Sequence, residues 1–159
     1  MQIKYIVSRL LSASSSLIRK KGQHDKIARF DRPQRMPPTL IMVVEDDPLN
    51  QVIARNVLTS LGYTVVLANN GQEGMETLAS ANIDLILMDM HMPVMDGPDT
   101  TRSIRAQGCC LPVLGFTADT SIEAHQVCLD AGMQDVLTKP IQIDILSKTL
   151  DKFLSHDRA

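Results

Sequence analysis

From Leu40 onward, short apolar runs alternate with amphipathic stretches, and this rhythm constrains the fold more than any other feature of the chain. The runs are 40–44, 64–68, 85–88, 111–116 and 136–138, with helix-like segments at about 48–61, 71–81, 98–107, 120–131 and 141–154 between and after them. Strands that alternate with helices pair in parallel through crossover connections. The sequence therefore predicts an α/β class chain: a doubly wound, five-stranded parallel sheet with five helices. In such sheets ligands bind beyond the carboxyl ends of the strands, where strand order reverses.

Charge divides the chain at the same boundary. The formal net charge is −2, yet residues 1–38 carry nine Lys/Arg against Asp25 and Asp31, leaving a surplus of acid from residue 39 on. Apolar residues Ile3, Ile6, Val7, Leu10, Leu11, Leu17 and Ile18 fall near helical spacing in the basic part. The expectation is a basic N-terminal extension over 1–38, partly helical or disordered, and a globular domain over 39–157. Arg32-Pro33 and Met36-Pro37-Pro38 break any helix before it. The Arg/Ser-rich composition permits peripheral contact with an anionic membrane surface. No run of 18 uncharged apolar residues exists, so no spanning helix is expected. Aromatic residues are 3% with no Trp, a poor basis for a base-stacking surface. Three cysteines without metal-ligand spacing fit a reducing, cytoplasmic setting.

The strand ends carry the chemistry. Glu45, Asp46 and Asp47 follow the first run, Asp89 the third, Thr117 and Ala118 the fourth, and Lys139 and Pro140 the fifth. Carboxylates gathered on one rim repel one another unless a cation compensates. Hard oxygen ligands of this type suit Mg2+. A Lys and a Thr hydroxyl beside them provide what an incoming phosphoryl group needs, with an Asp as nucleophile.

These strings, Val43 to Gln51, Asp89 to Gly97, Thr117-Ala118 and Lys139-Pro140, in this order and spacing, resemble the receiver domain of two-component response regulators. The Glu-Asp-Asp-Pro-Leu-Asn-Gln opening is especially similar to receivers of hybrid sensor histidine kinases. The resemblance covers about residues 39–156 and implies the flavodoxin-like receiver fold. It implies that Asp89 accepts a phosphoryl group from a phosphohistidine on a sensor histidine kinase or a histidine phosphotransfer protein. It further implies Mg2+ held by Asp46 and Asp89 directly, by Glu45 through water and by the backbone carbonyl of His91. Lys139 would pair with one phosphoryl oxygen, Thr117 would swing to another, and Lys139-Pro140 would be cis. Partner docking in the family runs along the first helix, which makes Leu49, Asn50 and Ile53 candidate contacts.

Several residues have plainer readings. Asp47 and Asp96 suit helix N-caps. His91 and Asp119 read as loop residues that could tune hydrolysis of the aspartyl phosphate, and Met88, Met90, Met92 and Met95 as packing. His125 and His156 have no discernible partner. Val136 stands where the family usually has the aromatic that changes rotamer with the Thr, which puts that coupled switch in doubt. The expected function is a phosphorelay receiver that signals by protein contact, with no catalysis beyond self-phosphorylation from a donor and slow autodephosphorylation. With only a few residues after the last helix and no helix-turn-helix pattern, direct DNA binding is not expected. Two alternatives are a Mg2+-dependent aspartyl-phosphate hydrolase, which would turn over many equivalents, and a pseudo-receiver that binds partners without phosphorylation.

Overall fold

The computed structural model describes residues 38–154. The expected extension therefore lies outside the described residues apart from Pro38, as do the last three positions of the expected globular span. Five strands, β1 (Leu40–Val44), β2 (Thr64–Ala68), β3 (Leu85–Asp89), β4 (Val113–Thr117) and β5 (Asp135–Thr138), alternate with five helices. The helices are α1 (Pro48–Ser60), α2 (Gly71–Ser80), α3 (Gly97–Ala106), α4 (Ile122–Asp130) and α5 (Ile143–Leu154). All strand pairs are parallel, in the order β2-β1-β3-β4-β5. The order reverses between β1 and β3, so the crevice for a ligand opens at their carboxyl ends.

Helix starts follow their caps. Asp47, Asn70, Asp96 and Ser121 each accept a hydrogen bond from the backbone N–H three residues on, and proline occupies the first turn of α1 and α3. β4 begins at Val113 rather than at Leu111. Pro112 has no N–H to give a ladder, although its carbonyl accepts from Ile86 (2.9 Å).

The sheet divides two apolar cores. On one face Ile41, Val43, Leu85, Leu87, Leu114, Phe116 and Leu137 pack with Ala54 and Leu58 of α1 and Leu146 and Leu150 of α5. On the other, Met42, Val44, Ile86, Met88 and Val113 pack with Ile104 of α3 and Ala124 and Cys128 of α4. At the end opposite the crevice, Arg105 on α3 donates to the carbonyl of Gly132 through Nε (3.1 Å) and Nη2 (2.9 Å), and to that of Cys109 through Nη1 (2.9 Å). Its Nη2 also reaches Gln134 Oε1 at 3.0 Å. Among the described residues no helix is long and apolar enough to cross a membrane.

Candidate functional site

Strand register assembles the site. Val44 faces Met88 across β1 and β3, which sets Glu45 beside Asp89, and Asp89 in turn faces Phe116 on β4. Side chains at matched positions of neighbouring parallel strands share a face. Glu45, Asp89 and Phe116 thus form one row at the upper edge of the face covered by α1 and α5.

Glu45 is buried and held from several sides. Its N–H continues the ladder to Ala68 O (3.0 Å), and its carbonyl accepts from Gln51 Nε2 (2.6 Å), which also reaches Asn69 Oδ1 (2.9 Å). Its Oε1 accepts from the Asp47 N–H (3.2 Å) and from Asn50 Nδ2 (3.4 Å). Asp46 points to solvent, and Asp47 serves as the cap of α1, accepting from the Asn50 N–H at 2.9 Å.

Lys139 follows β5, precedes a cis bond to Pro140, and donates its backbone N–H to Thr117 O at 2.7 Å. Its Nζ lies 2.7 Å from Glu45 Oε2 and 3.0 Å from Asp89 Oδ1. Burial pushes the Asp89 carboxyl above its ordinary value, with Glu45 adding to the rise, while the hydrogen bond and charge of Lys139 and the His91 N–H pull the other way. Burial disfavours the Lys139 ammonium, but its two carboxylate partners outweigh this and hold its pKa above the ordinary lysine value.

Glu45, Asp46 and Asp89 bring carboxylate oxygens within 4.8 Å of one another. That donor set fits Mg2+: hard oxygens, one of them exposed, on an open rim where waters complete the shell.

Thr117 is buried at the end of β4, and its Oγ1 accepts from the Asp119 N–H (3.0 Å). Asp119 is exposed; hydrogen bonds from Ser121 hold its carboxyl below the ordinary range, and His91 assists. The His91 side chain is exposed while its N–H serves Asp89. Ala118 is exposed beside them, and Asp96 caps α3. Val136 lies on β5 opposite Gly115, on the other face of the sheet from Asp89.

Three features were not legible from the motifs. Lys139 pairs directly with Glu45, because the ammonium is the counter-charge for two buried carboxylates. Gln51 clamps the Glu45 backbone to the end of β2. Gly97 donates its N–H to Met90 O (3.0 Å), and any Cβ there would strike the Asp89 carbonyl. The Asp-Gly-Pro string signals a turn into a helix but not this close approach.

Known proteins resemble this chain over the stretch that contains the crevice. The response regulator receiver domain family matches residues 41–151. The sensor histidine kinase RcsC of Escherichia coli K12 is 40% identical over 119 residues, covering 75% of this chain but 12% of the kinase. The transcriptional regulatory protein ZraR of the same strain is 40% identical over 116 residues, 73% of this chain and 26% of the regulator. This chain therefore spans a small part of either relative. Among solved structures, the receiver domain of sensor histidine kinase PA1611 from Pseudomonas aeruginosa PAO1 has a magnesium ion coordinated in its active site cleft. It matches with a TM-score of 0.70 at 37% identity, over 74% of this chain and 98% of that one. The receiver domain of Saccharomyces cerevisiae Ssk1, in complex with the histidine phosphotransfer protein Ypd1, matches at 0.71 and 27%, over 77% and 93%.

Proposed function

Because this chain belongs to the response regulator receiver domain family of two-component signalling, we propose that Asp89 is its phosphoacceptor, charged from a phosphohistidine on a kinase or phosphotransfer protein. The observation that carries this reading is the placement of Asp89 in the crevice, flanked by Glu45 and Asp46 and touched by Lys139. An Asp89 oxygen attacks phosphorus, and the P–N bond breaks with its electron pair returning to the donor imidazole. Lys139 turns from Glu45 to a phosphoryl oxygen, and the Thr117 hydroxyl donates to another. Asp46, Asp89, Glu45 through water and the His91 carbonyl would hold Mg2+. Bound there, the ion neutralises charge on the phosphoryl oxygens. The chain acts as a phosphoacceptor in a relay and not as a multiple-turnover enzyme. The exposed apolar side chains Leu49, Val52 and Ile53 of α1 offer the donor a docking face beside the crevice.

The test is incubation with Mg2+ and acetyl phosphate. A single equivalent of acid-stable, base-labile phosphate is expected, lost in Asp89→Asn. Equal labelling of Asp89→Asn overturns the assignment, and sustained turnover of the donor would mark a hydrolase instead.

A further inference from the structure

Lys139 stands at the end of β5, while the carboxylates it contacts belong to β3 and β1. Adjacent strands lie about 4.8 Å apart, so the side chain must cross β4 to reach Asp89. The residue at the crossing is Phe116, matched with Asp89 on one side and Leu137 on the other. The Lys139 Nζ lies over its ring, 5.1 Å from the centroid. Phe116 is itself buried, so the cation sits on the ring face with little water to compete.

Packing alone does not demand a ring here. Phe116 borders a small cavity lined also by Leu87, Leu137, Ile141 and Ile145, so an aliphatic side chain of similar size has room to settle. What an aliphatic residue lacks is the negative face of the ring, which attracts an ammonium.

We infer that Phe116 is a positioning residue: its ring face holds the Lys139 ammonium above Asp89, ready for the incoming phosphoryl oxygens. The inference rests on Asp89 being the phosphoacceptor. When phosphorylation draws Nζ away from Glu45, the ring keeps it over the same strand, so the cation shifts between oxygens without losing its seat.

The test uses the full chain with Phe116→4-fluoro-Phe, Phe116→3,5-difluoro-Phe and Phe116→3,4,5-trifluoro-Phe, which drain the ring face with little change in shape, together with Phe116→Leu and Phe116→Tyr. Phosphorylation by acetyl phosphate with Mg2+ is followed against donor concentration, and urea unfolding reports the fold. The rate constant at saturating donor should fall stepwise along the fluorinated series, by roughly three- to tenfold at its end and in Phe116→Leu. The unfolding midpoints of the fluorinated chains should stay constant, and Phe116→Tyr should remain near the parent. A flat series overturns the inference. Should the parent chain take no phosphate, the Asp89 reading fails separately. The 15Nζ resonance of Lys139 then decides the role of the ring: displacement in step with fluorination supports it, and invariance overturns it.

Discussion

The two faces of the sheet are built from different materials. The face under α1 and α5 is leucine, isoleucine and valine with Tyr63 and Phe116, whereas the face under α2, α3 and α4 includes Met42, Met88, Met90 and Met133. Branched and aromatic side chains settle into few rotamers, while methionine adapts to its surroundings. Glu45, Asp89 and Lys139 crown the first face. Thr117 and Val136 stand on the strand positions that alternate toward the second. The charged row thus rests on the stiffer packing, and the hydroxyl expected to move lies over the more compliant one.

The contrast breaks first at its centre. Leu114→Ala, on the stiff face, should cost about 2–5 kcal/mol in urea unfolding. Met88→Ala, equally buried one strand away on the compliant face, should fall at the low end of that range, about 2–3 kcal/mol, because the neighbouring methionines move into the space. Equal losses would erase the distinction. Gly97→Ala should cost about 1–3 kcal/mol, because the added methyl group strikes the Asp89 carbonyl, and acetyl phosphate labelling should slow with it. Normal labelling would show that the backbone below Asp89 can give way.

A subtler probe is pH. The folded pKa of Asp89 lies above its unfolded value, so its share of stability is complete below the ordinary carboxylate range and is lost as pH rises through the folded value. Without Mg2+, Asp89→Asn should therefore gain on the parent in urea midpoint across that interval and keep the advantage at higher pH. A pH-independent difference would mean that Lys139 already compensates the burial in full. The smallest effect belongs to Val94, a β-branched residue at φ 74° and almost fully exposed on the loop before α3. Val94→Gly should raise stability by about 0.5–1 kcal/mol by removing that strain.

The fold was largely legible because apolar runs and caps act locally. β1 and β2 have the expected bounds, and α3 begins one residue before expectation, at Gly97 behind its Asp96 cap. α4 is shorter than expected because Ser121, not an earlier residue, accepts the first-turn N–H. Motif spacing brought the acidic residues and Lys139 to one rim, since residues just beyond parallel strands converge there. Contacts that depend on register could not be read along the chain. The crossing of Lys139 over Phe116 requires knowing that β4 lies between β5 and β3, and the Gln51 bridge requires β2 beside β1. The role of residues 1–38 falls outside the described structure.

Arg105 ties the opposite end together. Its guanidinium binds α3 to the loop before β4 and to the turn after α4, each through backbone or amide oxygens. Segments tied in this way exchange their amide hydrogens only when several elements open together, whereas the loops around Val94 and Asp119 can open singly. Hydrogen exchange should therefore be slow in the Cys109 loop and the Gly132 turn that Arg105 holds, and fast in the loops around Val94 and Asp119.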